Sequence, residues 1–163
     1  HPSSKLWAHE QHRMIKFMSQ EDQDAIAKAE ATGNFNAPEY LAANEHYMLL
    51  HAAGVPKDTD PECLRRPKKF GTDSYVTAWG PNEYTPIGNL GDYEYRDKLK
   101  NIKEPTLIIN GTNDLCTPLV AKTMYDSIPN SRWELFDDCR HVCFVEDTDR
   151  YCRLLNEWME QND

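Results

Sequence analysis

The sequence predicts an α/β protein in which a helical, polar first part precedes parallel strands with flanking helices. Three observations lead to this prediction. From Pro105 onward, short apolar runs alternate with amphipathic segments in the order strand, helix, strand, helix. Before Pro105, the clear signals are helix starts and helix ends. The 163 residues also carry enough apolar side chains for the core of one ordinary domain.

The first part carries signals for two helices. Ser19, followed by Asp22, is typical of a helix start, and Gly33 with the next Asn is typical of its end. A second helix is predicted to begin at Pro38, because proline suits the first helical turn, and to run as far as Gly54.

The second part of the sequence predicts two strand–helix units, one after the other. The run TLIIN, residues 106–110, is continuously apolar, which is typical of a strand covered on both faces. PLVAKTMYDSI predicts a helix, RWELFDD a second strand, and residues 146–162 a closing helix. The closing helix would carry one apolar stripe, formed by Tyr151, Leu154, Leu155, Trp158 and Met159. This order predicts parallel strands joined by a right-handed crossover.

Composition argues against several classes of partner. The formal charge of −9, without a basic run that is interleaved with aromatics, disfavours nucleic acid. No apolar stretch approaches the roughly 20 residues that span a bilayer, so we expect no membrane partner. No motif calls for a cofactor. The cysteines are odd in number and irregularly spaced, which favours free thiols and a cytoplasmic location: Cys63, Cys116, Cys139, Cys143 and Cys152.

Asp114 and His141 are the candidate catalytic residues. Each follows the end of a predicted strand, and the carboxyl ends of parallel strands share one edge of a sheet, where active sites gather. An acid followed by a histidine is the second half of the hydrolase order Ser…Asp…His. The plainer alternatives are a loop Asp that caps the helix beginning at Thr117 or Pro118, and an ordinary loop histidine.

A zinc site is a further alternative for the segment around His141. Cys139, His141 and Cys143 form a C-x-H-x-C run, with Cys116 as a possible neighbour. The run lacks the C-x₂₋₄-C pairs of structural zinc sites, and a metal would occupy the candidate base. We therefore expect no metal.

Three segments carry a resemblance to a known family: WGPNEYTPIGNL (79–90), EPTLIINGTNDLCTP (104–118) and DDCRHVCFVED (137–147). In this order and spacing the sequence resembles the α/β-hydrolases, and within them the proline iminopeptidase and amino-acid amidase group. The resemblance covers most of the chain from about Pro38. It implies a helical cap over residues 1–100 and the carboxy-terminal part of the catalytic domain over residues 101–163. It also implies that Asp114 is the triad acid and His141 the general base.

The same resemblance implies where substrate binds. Glu83 would match the cap glutamate that receives the free α-amino group, a pairing that suits a buried cation; the alternative is a surface acid in a turn. Glu45 is a second candidate for the amine, and Trp79 would line the pocket or simply pack in the core. Many aminopeptidases of the group carry a second acid directly after the triad Asp, whereas this chain has Leu115.

The nucleophile of such an enzyme is missing from the sequence. It contains no G-x-S-x-G motif, and none of its serines lies between a strand and a helix in the elbow pattern. We therefore expect the serine on a separate or lost amino-terminal portion, which would be the chain's partner. Two parallel strands also do not form a stable sheet alone.

Three functions remain open at this point. The first is a serine aminopeptidase that acts on a small peptide or an amino-acid amide. The second is an esterase, lactonase or amidase that acts on a small metabolite. The third is a catalytically silent interaction partner.

Overall fold

Helices dominate the first part of the chain, and a small parallel sheet organises the second. A computed structural model of the chain describes residues 1–67 and 71–162. The first part contains α1 (Ser4–Ile15), α2 (Gln20–Thr32), α3 (Pro38–His51), α4 (Glu62–Arg65) and α5 (Thr72–Ala78). A 3-10 helix (Arg96–Asn101) follows, and then β1 (Thr106–Gly111), α6 (Pro118–Ser127), β2 (Ser131–Phe136), α7 (Cys143–Glu146) and α8 (Thr148–Gln161). The α/β class that the sequence predicts is confirmed.

The predicted ends of α2 are confirmed. The Ser19 hydroxyl accepts a hydrogen bond from the Asp22 backbone N–H, at 3.1 Å. At the other end Gly33 has a φ of 70°, a left-handed conformation that glycine adopts at little cost.

Helix α3 begins at Pro38 as predicted but ends at His51, three residues before the predicted Gly54. The helix ends early because its last residue makes hydrogen bonds to distant parts of the chain. The His51 carbonyl accepts the backbone N–H groups of Leu115 and His141, at 3.3 and 3.1 Å, in place of the next turn of helix.

Helix α1 was not predicted as a separate element. Ser3 caps it, because its hydroxyl accepts the Leu6 N–H at 3.2 Å. Trp7, Gln11, Met14 and Ile15 face inward from it at helical spacing.

The two strands pair in parallel, with Thr106 opposite Ser131 and Gly111 opposite Phe136. Strand β1 packs on both faces, as predicted. Ile108 lies with Ala121 and Ile128 on the side of α6. Leu107 and Ile109 face Phe136 and Leu154, on the side of α8. The sheet is therefore one layer of a helix–sheet–helix sandwich.

Only part of the predicted stripe on α8 is buried. Leu154 is buried, and Tyr151 and Trp158 are partly buried. Leu155 and Met159 are exposed. An apolar stripe predicts which face of a helix seeks cover, and here the described residues cover only one edge of that face.

The largest core lies among the helices of the first part and reaches the second part of the chain. It contains Tyr47 and Tyr84, both fully buried, together with Ile26 from α2. Leu115 and Val120, from the loop after β1 and from α6, complete it. The first part therefore packs directly on the segment that carries Asp114.

The two ends of the first part lie side by side. Ser3 and Glu94 form an antiparallel bridge, flanked by hydrogen bonds from Ser4 N–H to the Tyr93 carbonyl and from Tyr95 N–H to the Pro2 carbonyl. The predicted boundary at residue 100 falls inside the 3-10 helix, which packs against α6, and the division into a cap and a catalytic part stays a prediction. In the part of the chain that the structure describes, no helix has both the length and the apolar character needed to cross a bilayer.

Candidate active site

Asp114 and His141 meet at the carboxyl edge of the sheet. Because β1 and β2 run parallel, the loops after Gly111 and Phe136 emerge side by side. His141 Nδ1 lies 2.8 Å from Asp114 Oδ1. The Asp114 side chain is 3% exposed, whereas that of His141 is 53% exposed. The carboxylate is thus buried behind an imidazole whose other side faces outward.

Local hydrogen bonds fix the carboxylate of Asp114. Oδ1 also accepts the Cys116 backbone N–H at 2.7 Å, and Oδ2 accepts the Gly111 N–H at 3.3 Å. The N-cap of α6 is Thr117, whose hydroxyl accepts the Val120 N–H, so the alternative of Asp114 as the helix cap is wrong. The acid is free to hold the imidazole.

Gly111 allows the two loops to touch. A Cβ at this position would lie 2.0 Å from the Cys139 carbonyl oxygen, far inside van der Waals contact. The Asn113 N–H also donates to that carbonyl, at 2.9 Å. A side chain here would push the acid loop away from the histidine loop, which explains the glycine in the motif NGTND.

The hydrogen bond that His141 donates to Asp114 raises the pKa of His141, against the opposing effect of burial, and the negative charge of Glu83 raises it further. Because a carboxylate only accepts, Nδ1 carries the proton in this pair. Nε2 is then left with a lone pair on the exposed side. This tautomer is the one that a general base needs.

Glu83 lies in a turn between α5 and the 3-10 helix. Asn82 shapes this turn, because its side-chain oxygen accepts the N–H groups of Tyr84 and Thr85, at 2.9 and 2.7 Å. The Tyr75 hydroxyl donates to Glu83 Oε1 at 2.7 Å. Burial raises the pKa of Tyr47 and the hydrogen bond to Asp114 raises the pKa of His141, and the charge of Glu83 adds to both shifts, so it acts electrostatically on the candidate base.

Trp79 is buried beside this turn. Its indole N–H and that of Trp7 both donate to the Glu83 carbonyl, at 3.3 and 2.8 Å, and the two rings meet edge to face at 6.5 Å. Trp79 therefore helps to hold the Glu83 backbone, and its role in lining a pocket stays a prediction.

Glu45 is not brought to the pair. It is exposed on α3, two residues before the buried Tyr47, and side chains two apart point to different sides of a helix. Of the two acids predicted to bind an amine, Glu83 lies close enough for its charge to raise the pKa of His141, after the larger effect of the hydrogen bond to Asp114, whereas Glu45 is exposed to solvent.

The cysteines near the site are held as thiols. Burial raises the pKa of Cys116 to about 12 and that of Cys143 to about 11, so neither is a thiolate nucleophile near neutral pH. Cys139 and Cys143 pack with Phe136 and Leu154. Across residues 1–67 and 71–162, no three His, Cys, Asp or Glu side chains are grouped to hold a metal ion.

Two residues at this site were not predicted. The Gln11 side-chain amide donates to the Leu115 carbonyl at 2.7 Å, and His51 Nδ1 lies 2.9 Å from the Asn113 carbonyl. Gln11 did leave a signal, because it is polar on the apolar face that Trp7 and Ile15 define. For His51, nothing in the sequence indicated this contact beyond its position near the end of a predicted helix.

Comparisons with known proteins identify the fold and the family of the chain. No protein-family model matches the chain. Among solved structures, the crystal structure of VinJ superposes with a TM-score of 0.87 and 26% identity, over 99% of this chain and 55% of that one. The proline iminopeptidase of Mycobacterium smegmatis superposes with a TM-score of 0.80 and 26% identity, over 98% of this chain and 54% of that one. The fold is that of the α/β-hydrolases.

Curated relatives narrow the assignment from the α/β-hydrolase fold to one family within it. The chain is 61% identical to the proline iminopeptidase of Lactobacillus helveticus strain DPC 4571, over 161 residues, which are 99% of this chain and 54% of that protein. It is 52% identical to the enzyme of that name from Clostridium botulinum strain Hall, over 99% of this chain and 55% of the relative. The chain belongs to the proline iminopeptidase family and corresponds to its carboxy-terminal part. It spans about half the length of these relatives.

Proposed function

We propose that this chain forms the carboxy-terminal part of a serine hydrolase that cleaves an amide or peptide bond after a small residue with a free amino group. The observation that carries the proposal is the 2.8 Å contact between His141 Nδ1 and the buried Asp114 carboxylate. Its family context supports the same conclusion, since the relatives at 52–61% identity are named proline iminopeptidases.

His141 is the general base and then the general acid of this reaction. Nε2 takes the proton of a serine hydroxyl as the serine attacks the carbonyl, and later gives that proton to the leaving amine. Asp114 holds the imidazole in the tautomer that makes Nε2 available and stabilises the cation that forms. Since the sequence has no G-x-S-x-G motif, an amino-terminal portion would supply the serine.

Glu83 binds the free amino group of the substrate. Its side chain is partly buried, and Tyr75 donates to one carboxylate oxygen. A partly desolvated carboxylate favours a charged ammonium partner, because the ion pair there is screened less than at the surface. The cap helices would close over the substrate and exclude water, so that specificity lies in the cap and the chemistry at the sheet edge.

The test uses the complete enzyme that carries this chain. A fluorophosphonate probe, which marks activated serines, should label the wild type. The enzyme should release the fluorophore from proline 7-amido-4-methylcoumarin and should lose most of that turnover when the proline nitrogen is acetylated. Glu83→Gln should raise KM for the free-amine substrate by about 10- to 100-fold, because it removes a charge-assisted contact.

Glu39→Gln is the matched control, since Glu39 pairs with Lys28 at the surface. It should leave KM unchanged. If the wild type labels but hydrolyses the acetylated substrate equally well, amine recognition by Glu83 is wrong.

A small-molecule esterase, lactonase or amidase is the second candidate. Leu115 favours it, because the position that carries a second acid in many aminopeptidases of the family is apolar here and is 4% exposed within the cap core. Turnover of esters or lactones above that of free-amine amides would establish this candidate. No labelling and no turnover would move a catalytically silent interaction partner to first place.

The remaining expectations concern partners and location. We propose a small peptide or amino-acid amide as substrate, with neither nucleic acid nor a membrane as partner, in keeping with the charge of −9. Cys116, Cys139, Cys143 and Cys152 are free thiols, which supports a cytoplasmic location.

A further inference from the structure

The loop that carries Asp114 is held from outside by the cap. The peptide carbonyl just before Asp114, that of Asn113, meets His51 Nδ1 at 2.9 Å. On the other side of Asp114, the carbonyl of the next residue, Leu115, accepts the Gln11 side-chain amide at 2.7 Å. Two side chains from two cap helices thus hold the backbone of the loop before and after the acid.

A single cap carbonyl joins the acid loop to the histidine loop. The His51 carbonyl, at the end of α3, accepts the N–H of Leu115 and the N–H of His141. The loops that carry the two members of the pair are therefore hydrogen-bonded to the same carbonyl group of the cap. Movement of the end of α3 would shift the two loops, and the contact between Asp114 and His141 depends on their relative position.

Gln11 can donate to Leu115 because Tyr47 fixes its orientation. The Tyr47 hydroxyl donates to the Gln11 side-chain oxygen, so the amide nitrogen must face the loop. Gln11 and Tyr47 are both fully buried, and burial raises the pKa of Tyr47, which keeps its hydroxyl protonated. A buried amide with both ends satisfied is costly to disturb and therefore holds its geometry.

His51 acts as a neutral donor. Burial lowers the pKa of His51, against the opposing effects of its hydrogen bond to the Asn113 carbonyl and of the charge of Asp114; Arg140 lowers it further. Since a carbonyl only accepts, Nδ1 must carry the proton. Tyr47 packs on this ring, with centroids 4.9 Å apart. Replacing a neutral ring changes the hydrogen bond without changing the charge near His141.

We propose that Gln11 and His51 are positioning residues, through which the cap sets the angle and distance between Asp114 and His141. The inference rests on the proposed function for its meaning in catalysis. Neither side chain is placed to touch the reacting atoms. Both act through the backbone of the acid loop, so the state of the cap is coupled to the strength of the catalytic base.

The test compares variants that remove each donor in the complete enzyme. Gln11→Met keeps the length of the side chain and removes the amide, and His51→Phe keeps a ring without a donor. Each should lower kcat by about 10- to 100-fold with KM changed less than about twofold, because a misplaced base slows the chemical step more than binding. His51→Asn places an amide N–H close to the position of Nδ1 and should restore most of the rate.

The decisive readout is the pKa of His141 itself, measured by NMR titration of its ring proton, which is assigned by its absence from His141→Gln. Because the hydrogen bond that His141 donates to Asp114 raises this pKa, Gln11→Met and His51→Phe should lower it by about half a unit or more. Glu83, whose charge also raises the pKa of His141, is unchanged in both variants. A role confined to stability would lower the melting temperature and leave the His141 titration where it was.

Matched controls come from helices α2 and α3 of the cap. Gln23→Met removes a partly buried amide of α2 that donates to the Met18 carbonyl, and His46→Asn alters an exposed histidine of α3. Both should keep wild-type kcat and His141 pKa. If Gln11→Met fails to fold, the pair His51→Phe and His51→Asn decides the question.

An unchanged His141 pKa in folded His51→Phe and Gln11→Met overturns the inference. This outcome is separate from failure of the proposed function. A wild type that neither takes the fluorophosphonate nor hydrolyses substrate refutes the function, whereas the titration still decides whether the cap positions the pair.

Discussion

The helical first part of the chain, residues 1–95, which we call the cap region, and the α/β region, residues 102–162, differ in the size of the cores that they form. The cap region holds most of the largest core, in which Ile26, Tyr47 and Tyr84 are 1%, 0% and 0% exposed. The α/β region has only two smaller clusters among the described residues, one on each face of its sheet, and both regions leave large apolar side chains exposed, such as Phe17 and Ile87 in the first and Leu119 and Met159 in the second. The cap region therefore has more buried packing of its own, whereas a two-stranded sheet needs further structure to be stable.

The candidate site belongs to neither region alone. Asp114 and His141 come from the α/β region, and the groups that surround them come from the cap: Gln11, His51 and Glu83. Chemistry and stability should consequently respond to different substitutions, and the following predictions test that separation.

The largest expected effect is on turnover. His141→Ala should lower kcat about 10⁴-fold, because it removes the base, while the melting temperature stays near that of the wild type, since the side chain is 53% exposed. Steady-state kinetics and calorimetry of the complete enzyme check both halves. Turnover within tenfold of wild type would contradict the role given to His141.

A medium effect is expected on stability. Ile26→Ala in the cap core should lower the free energy of unfolding by about 2–5 kcal/mol, because it opens a cavity in tight packing. Leu155→Ala, at a site that is 38% exposed, should cost less than about 1 kcal/mol. Urea titration of the complete enzyme compares them, and equal losses would mean that the two regions are packed alike.

The smallest effect is a pH dependence within the cap. The hydrogen bond to Glu30 raises the pKa of His12, and burial opposes this. A raised folded-state pKa contributes stability that is complete below about pH 6.5 and is lost as the pH rises through the folded-state value. The stability difference between wild type and His12→Gln should therefore shrink from pH 6 to pH 8 in urea titrations. A difference that grows with pH would show that the sign is wrong.

The sequence predicted those features that rest on local rules. Ser19 and Gly33 mark the ends of α2, and the apolar run from Thr106 predicted a strand packed on both faces. The pairing of Asp114 with His141 also follows from a simple rule, since the ends of parallel strands share an edge.

What the sequence did not predict depends on contacts between distant segments. Gln11 meets a carbonyl 104 residues away, and His51 meets one 62 residues away. No local pattern encodes either contact. The exposure of Leu155 and Met159 is a similar case, because a helical stripe predicts an apolar face without predicting how much of it is covered.

The antiparallel bridge between Ser3 and Glu94 brings the two ends of the cap region side by side. A segment whose ends are adjacent can be exchanged for another of different length without moving what lies on either side of it, so transplants of the cap region between relatives are geometrically simple. The contacts of Gln11 and His51 set a condition on such chimeras. A transplanted region should support fast turnover only if it again presents an amide and a ring N–H to the carbonyls of Leu115 and Asn113.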